Sequence, residues 1–288
     1  MSYTLGVLGG SGLYEMDGLE NVTEVAVETP FGRPSDVIVK GTLANATTML
    51  FLPRHGRGHR VAPHEINFRA NVCALKKAGA THLVSVSAVG SMKEAIEPGH
   101  LIVPDQFVDL TKKRITTYFE DGIVGHVPFA DPVCTLLAAA LAGAAALSGD
   151  TGTRVHRGGS YVCIEGPQFS TRAESFIYRS WGVSVIGMTA MPEAKLAREA
   201  ELPFATLALA TDYDCWHERE EAVTVEAVVA TMKKNVGAAK KTLAELAGML
   251  PDPKQSIAYQ ATKGAVMTAP NLVTDAARAR LSWLLGNG

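Results

Sequence analysis

Residues 204–216 read FATLALATDYDCW, an unbroken apolar run that ends in two carboxylates, Asp212 and Asp214. The run predicts a buried strand, and if the extended conformation continues, residues two apart point to the same side. A carboxyl group at the mouth of a buried strand is placed to have a raised pKa and to exchange a proton with a ligand. The motif alone also fits a helix cap or a surface turn. Binding of Mg²⁺ or Ca²⁺ would require further carboxylates nearby.

Outward from this segment, strand-like runs alternate with helical stretches, with no break in composition across the chain. This pattern favours the α/β class, a single domain in which helices flank a central mixed, twisted β-sheet. Predicted strands are Thr4–Leu8, Val22–Glu28, Val37–Leu43, Thr47–Leu52, Thr81–Ser87, Leu101–Val103, Tyr161–Ile164, Val183–Ile186 and Phe204–Ala210; predicted helices are Pro63–Lys77, Val133–Ser148, Thr171–Gly182 with a capping box, Pro192–Ala200 with proline first, and Val225–Leu250.

Two prolines, Pro251 and Pro253, end the longest predicted helix. We therefore divide the chain into a domain over residues 1–250 and a tail over 251–288. The tail is weakly patterned, with a helix expected near Asp275–Leu285. We expect it to pack on the same domain or on a neighbouring subunit.

Composition excludes several classes of function. The 288 residues are 47% hydrophobic and carry 27 Lys+Arg against 29 Asp+Glu, so no basic field suits bulk nucleic-acid binding. The four cysteines are scattered without a CxxC pair, which argues against a disulfide framework or a cysteine zinc site. The start of the chain does not resemble a signal peptide, and the apolar stretch Val133–Ser148 is too short for a membrane span. We expect a cytoplasmic protein without a membrane segment.

Two loops after predicted strands could bind an anion. In GVLGGSG (residues 6–12), glycines expose backbone N–H groups and Ser11 adds a hydroxyl. In PRHGRGH (residues 53–59), Arg54 offers a planar fork and His55 a further hydrogen-bond donor. A plain turn and a basic surface loop are the alternatives. No carboxylate supports a metal site among the nearby histidines.

Weaker signals follow other strands. Ser87 ends a strand in SVSAVGS, the position where open α/β sheets form ligand crevices. Thr189 precedes a predicted helix and could donate to an anion, beside Met188, which could lie against an apolar ligand. Phe169, in EGPQFS, could form a stacking platform, although such a phenylalanine more often fills the core.

Taken in order, these motifs resemble the methylthioadenosine phosphorylases of the trimeric purine nucleoside phosphorylase family. The resemblance spans most of the chain except the tail after about residue 250, and implies the nucleoside phosphorylase fold. It is carried by GVLGGSGL, ETPFGRPSD, RHGRGH, HEINFRAN, SAVGS, IEGPQFSTRAES, GMTAMPEA and ATDYDCW.

The resemblance implies a role for each matching residue. Members of this family cleave the N-glycosidic bond of methylthioadenosine with phosphate and use neither metal nor organic cofactor. Asp212 would be the general acid that protonates the departing purine. The phosphate site would comprise Ser11, Arg54, His55, Ser87, Ala88 and Thr189; Phe169 and Met188 would pack on base and ribose, and Asp212 and Asp214 would face the purine.

The resemblance also addresses specificity and assembly. Relatives that select 6-oxopurines carry Glu near Ser170 and Asn near Asp212, so this chain suits a 6-amino group. Val225 matches a histidine of relatives that bind a 5′-hydroxyl, and an apolar side chain favours methylthio. His126 matches a residue that reaches the neighbouring subunit's 5′ pocket, which implies a homotrimer. Gly187 replaces an Asn of familiar members and weakens strict 6-amino selectivity. A purine nucleoside phosphorylase preferring adenosine or inosine, and a non-catalytic nucleoside-binding trimer, remain alternatives.

Overall fold

The computed structural model of the protein describes residues 3–10, 12–148, 154–217 and 225–285. Within them lies an 11-stranded mixed sheet. Its strands are β1 Thr4–Gly9, β2 Glu20–Val25, β3 Ile38–Thr42, β4 Thr48–Pro53, β5 His82–Ser91, β6 Leu101–Val103, β7 Gln106–Asp109, β8 Val155–Arg157, β9 Ser160–Cys163, β10 Val185–Gly187 and β11 Phe204–Asp212.

The sheet branches at β5, the longest strand. The main path runs β2-β3-β4-β1-β5-β10-β9-β7, and β5 also pairs with β11, which continues through β6 to β8. Strands β4, β1, β5 and β11 are mutually parallel, whereas β10 runs antiparallel to β5. The carboxyl ends of β1, β4, β5 and β11 therefore meet at one edge of the sheet.

Helices cover both faces of this sheet. They are α1 Phe68–Lys77, α2 Thr135–Leu147, α3 Arg172–Ser180, α4 Ala190–Glu199, α5 Val225–Ala247 and α6 Asp275–Leu285, with short 3-10 helices at Pro63–Glu65, Asp214–Trp216 and Pro253–Gln255. One core joins α1, α4 and α6 to one face, and a second joins α2 and α5 to the other. Strand residues alternate between the cores: in β11, Ala208 belongs to the first and Leu209 to the second.

The structure confirms the predicted α/β class and corrects several elements. Strands β7 and β8 were not predicted, because QFVD and VHR are too short and polar to show an alternating pattern. Helix α4 begins at Ala190, and Pro192 lies at a kink inside it with non-helical backbone angles rather than at its first position. Thr171 and Glu174 form the expected capping box at the start of α3.

The tail returns to the same body of the protein. Its helix α6 has the predicted bounds, and Ala277 and Leu281 are fully buried in the core that includes α1 and α4. The boundary at residue 250 stays a prediction. In the described residues all four cysteines are unpaired thiols, and no helix there combines the length and apolarity that crossing a membrane demands.

A buried histidine fastens the start of the tail to the sheet. His82, at the first position of β5, is fully buried, and its Nε2 lies 2.9 Å from the carbonyl oxygen of Pro251. Because a carbonyl can only accept, Nε2 carries the proton. Burial lowers the pKa of His82 to about 4, against an opposing contribution from this hydrogen bond. The imidazole is therefore neutral in the folded protein near pH 7.

We expect this histidine to make stability fall in acid. Between pH 6.5 and 4 the unfolded chain binds a proton at His82 that the folded chain refuses, so the free energy of unfolding falls as pH falls. The loss attributable to His82 between pH 7 and 5 is about 2 kcal/mol. Urea unfolding across this range checks it: His82→Gln should flatten the slope, whereas substituting the exposed His64 in the same way should not. A slope unchanged in His82→Gln would contradict the assignment.

Candidate active site

A cavity of about 350 Å³ opens at the edge where the parallel strands end. This volume is within the usual range for small-molecule sites. Strand β5 contributes the floor with Val86–Gly90, the chain after β4 contributes one wall, and the ends of β10 and β11 contribute the other. The sheet topology thus brings together segments that are far apart in the sequence.

Most of the predicted site residues line this cavity. They are Arg54, His55, Ser87, Ala88, Phe169, Ser170, Met188, Thr189, Asp212 and Asp214. His126 is exposed and is not among the lining residues. Ser11 lies outside the described residues. Val225 is the first residue of α5, but its side chain is also outside what the structure describes. The individual roles stay predictions.

Arg54 is buried, only 2% exposed, which excludes the surface-loop interpretation. Glu193 of α4, fully buried, accepts hydrogen bonds from Nε and Nη2 of Arg54, and its Oε2 also accepts from Ser85 Oγ at 2.7 Å. Nη2 further donates to the Leu8 carbonyl and Nη1 to that of Val86, both at 3.0 Å. The fork expected to clasp an anion is thus occupied by Glu193. What remains for the cavity is a fixed positive charge and part of Nη1.

His55 presents an acceptor to the cavity, not the expected donor. Its Nδ1 lies 2.8 Å from the carbonyl oxygen of Val61, so Nδ1 holds the proton. Burial, followed by the neighbouring charge of Arg54, lowers the pKa of His55 to about 4. The neutral ring stacks on His59 with 4.2 Å between centroids. Its Nε2 therefore carries a lone pair, which suits an anion that itself bears a hydroxyl group, such as hydrogen phosphate.

Hydroxyl groups lie beside this charge. Ser87 Oγ is 2.8 Å from Thr189 Oγ1, joining the middle of β5 to the residue before α4. Both side chains are buried, at 4% and 7% exposure, and both line the cavity. They supply neutral donors next to the guanidinium of Arg54, the combination that an oxyanion site requires.

The two carboxylates lie together, but not by continued extension of the strand. Strand β11 ends at Asp212, and Asp214 begins a 3-10 helix with a φ of 53°. The backbone N–H of Asp214 donates to Asp212 Oδ1 at 2.8 Å, and the Thr211 hydroxyl donates to Oδ2 at 2.7 Å. Asp214 accepts from the fully buried Ser175 of α3. Burial raises the pKa of Asp214 above its ordinary value, against the hydrogen bonds that it accepts.

An apolar rim faces these carboxylates. Phe169 is 62% exposed at the cavity mouth, so it does not fill the core. Met188 lies against Gly166, where a Cβ atom would come within 2.5 Å of its sulfur; with its φ of 69°, that position requires glycine. Among the described residues, the Oγ atom of Ser170 is buried with no hydrogen-bond partner. A ligand at this end of the cavity could provide that partner.

Several residues that support the site were not predicted. Glu193 lies 139 residues from Arg54, and Arg114 donates to the carbonyl oxygens of Met188 and Glu165, both at 2.7 Å. Neither has a local motif, because long-range pairing leaves no spacing signature. Across the described ranges, no group of three or more His, Cys, Asp or Glu side chains is placed to hold a metal ion.

Comparison with known proteins identifies the family. The sequence model described as "Phosphorylase superfamily" matches residues 4–247, which include every described lining residue of the cavity. The chain belongs to the phosphorylase superfamily. The match ends at the last residue of α5, so the segment that follows, with α6, lies beyond the superfamily's common part.

Within the superfamily, the chain is similar to proteins of one name. It is 52% identical to S-methyl-5′-thioadenosine phosphorylase of Geobacter sulfurreducens, over 100% of this chain and 99% of that protein. The enzyme of the same name from Thermosynechococcus vestitus is 50% identical over 99% of both chains. Among solved structures, a methylthioadenosine phosphorylase from an Antarctic soil metagenomic library superposes with a TM-score of 0.93 at 46% identity, covering 99% of each chain. The Schistosoma mansoni methylthioadenosine phosphorylase, solved with adenine, has a TM-score of 0.85 at 37% identity, covering 94% of this chain and 100% of that one.

Proposed function

We propose that the protein cleaves S-methyl-5′-thioadenosine with inorganic phosphate, releasing adenine and 5-methylthioribose 1-phosphate. The observation that carries the proposal is the shared cavity, in which a buried arginine and two hydroxyls lie opposite a pair of carboxylates. A phosphorolysis needs both halves: a seat for the attacking anion and a group that eases the base away. The names of the similar enzymes agree with this chemistry.

The reaction follows from charge. As the N-glycosidic bond breaks, the sugar becomes cationic and the departing purine becomes negative. Phosphate beside Arg54, Ser87 and Thr189 is held close to the anomeric carbon and stabilises the cation before it bonds to it. Asp212 donates a proton at N7 of adenine and accepts from the 6-amino group. General-acid assistance of this kind contributes about 10²–10⁴ in rate.

His55 would give the anion site a preference among oxyanions. Because Nδ1 donates to the carbonyl oxygen of Val61, Nε2 accepts, and it pairs only with an oxygen that carries a proton. Hydrogen phosphate has such an oxygen near pH 7, whereas sulfate does not. The neutral imidazole beside Arg54 therefore favours phosphate as the attacking group.

The decisive experiment is a kinetic matrix of nucleoside against phosphate. We expect adenine release from methylthioadenosine to require phosphate, and kcat/KM to be higher for methylthioadenosine than for inosine, since a carboxylate accepts from an amino group but not from a 6-oxo group. Adenine release at the same rate without phosphate would identify a hydrolase. A preference for inosine would contradict the role of Asp212, and binding without turnover would indicate a non-catalytic nucleoside-binding protein.

Adenosine is the second candidate substrate. A structurally similar protein from Schistosoma mansoni, 38% identical with a TM-score of 0.81 over 86% of this chain and 92% of that one, is titled adenosine/methylthioadenosine phosphorylase. Adenosine presents the same base to Asp212 and Asp214 and differs only at the 5′ position. Its place in the kinetic matrix separates the two substrates.

The proposed enzyme acts in the cytoplasm as a homotrimer, with no metal or organic cofactor. His126 is exposed and lies outside the cavity of its own chain, as expected of a side chain that would serve a neighbouring subunit. Val225, at the start of α5, would face the 5′ substituent. Light scattering on the protein used for kinetics tests the assembly, and activity after dialysis against a chelator tests the absence of a metal.

A further inference from the structure

A fully buried tyrosine lies behind the hydroxyl groups of the anion site. Tyr161 of β9 is 0% exposed and is not among the residues that line the cavity. Its hydroxyl nevertheless reaches Ser87 Oγ at 3.1 Å, and Ser87 Oγ is 2.8 Å from Thr189 Oγ1. Tyr161 thus contacts the site from behind, through side chains that do face the cavity.

The space for this hydroxyl exists because residue 187 is glycine. A Cβ atom there would lie 2.0 Å from the Tyr161 hydroxyl oxygen and 2.7 Å from the ring carbon that bears it. The backbone at Gly187 is not left-handed, so any residue could adopt it. The glycine at this position therefore makes room and does not supply a special conformation. Tyr161 and Gly187 pair across neighbouring strands β9 and β10.

Proton accounting gives the hydroxyl a direction. Burial raises the pKa of Tyr161 to about 12, so the phenol keeps its proton across the physiological range. Each hydroxyl has one proton to donate and lone pairs to accept with. When Tyr161 donates to Ser87 Oγ, the serine's own proton is free for another acceptor. Ser87 Oγ also lies 3.2 Å from the Ala88 carbonyl, which competes for that proton until an anion enters the cavity.

We propose that Tyr161 is a positioning residue of the anion site, which directs the Ser87 hydroxyl towards phosphate from a space that Gly187 keeps open. The inference rests on the proposed phosphorolysis for its biological meaning. The physical claim, that an aromatic hydroxyl outside the cavity tunes anion affinity inside it, stands on the contacts alone.

The test compares Tyr161→Phe with the wild-type protein. We expect the Kd for inorganic phosphate, measured by calorimetry, and the KM for phosphate to rise about 3- to 10-fold, the effect of one neutral hydrogen bond. The KM for the nucleoside should change less than twofold. The matched control is Tyr118→Phe, since Tyr118 is also fully buried but its hydroxyl donates to the Arg69 carbonyl, outside the cavity lining. That control should leave both KM values unchanged.

A second variant approaches the same contact from the other strand. In Gly187→Ala the new methyl group must displace the Tyr161 hydroxyl, so phosphate affinity should again fall. Combined with Tyr161→Phe, the loss should be less than the sum of the two, because both act on one contact. Full additivity would contradict the pairing, as would equal weakening of phosphate and nucleoside in Tyr161→Phe.

Failure of this inference is distinguishable from failure of the proposed function. If the wild-type protein binds phosphate without turnover, the proposed function is wrong, and calorimetry still decides the role of Tyr161. If Tyr161→Phe binds phosphate as tightly as the wild type, the positioning role is wrong whatever the turnover. If the wild type binds no phosphate at all, both are wrong.

Discussion

Asp212→Asn is expected to lower kcat for methylthioadenosine by about 10²–10⁴-fold, because an amide cannot release a proton to the departing base. Phosphate KM should change little, since the anion lies at the other end of the cavity. The fold should tolerate the change: the Thr211 hydroxyl, which donates to Oδ2, can rotate and accept from the new amide. Steady-state kinetics with a thermal melt of the variant checks the result. Near-wild-type turnover would remove Asp212 from the acid role.

The neighbouring carboxyl provides the comparison. Asp214 is held by Ser175, and burial raises its pKa, so it is the competing candidate for the proton. We expect Asp214→Asn to lower kcat by less than Asp212→Asn, because Asp214 is already engaged by α3. The reverse order of the two variants would transfer the acid role to Asp214.

Arg54→Met is expected to weaken phosphate binding and to destabilise the protein. Loss of the charge should raise the KM for phosphate roughly 10- to 100-fold, the scale of a charge-assisted hydrogen bond. It also leaves Glu193 buried without its cation, and breaking a buried pair from one side costs about 3–5 kcal/mol. Phosphate titrations and urea unfolding measure the two effects separately.

The double variant Arg54→Met/Glu193→Gln separates binding from stability. Neutralising Glu193 removes the uncompensated charge, so much of the lost stability should return, while the KM for phosphate should stay high. Arg57→Met is the matched control, because Arg57 lies in the same loop but pairs with Glu24 in solvent, at 41% exposure. That exposed pair contributes about 0–1 kcal/mol. A phosphate KM restored in the double variant would show that Arg54 acts only through the fold.

The class of fold was predictable from alternation, and the errors have local causes. Apolar runs such as that of β11 identify buried strands without further information, and α6 has the bounds that its pattern predicts. Strands of three or four residues, such as β7 and β8, are held by their neighbours and carry little pattern of their own. Pro192 fits the first turn of an isolated helix, but packing on β5 and β11 extends α4 back across a kink.

The lining of the site was predictable in its chemistry but not in its supports. Residues that follow strands, such as Arg54 and Asp212, appear in the sequence as polar groups at the ends of apolar runs. Their partners do not: Tyr161 has the pattern of an ordinary core aromatic, and Glu193 that of an ordinary helix residue. Their meaning comes from the residues that the sheet places opposite them, which a single sequence does not encode locally. The tautomer of His55 likewise depends on the carbonyl of Val61, which a loop supplies.

The branching of the sheet at β5 has a consequence for how such a protein can diversify. Val86–Gly90 is hydrogen-bonded along its length to β11 and is continued on its other edge by β10, so the cavity floor has no free edge along which to shift. Accommodation of a bulkier base or a different 5′ group then falls to the rim, where Phe169 is exposed and the chain around His59 forms turns. New substrate ranges in this scaffold should arise from changes in loops around an unchanging wall.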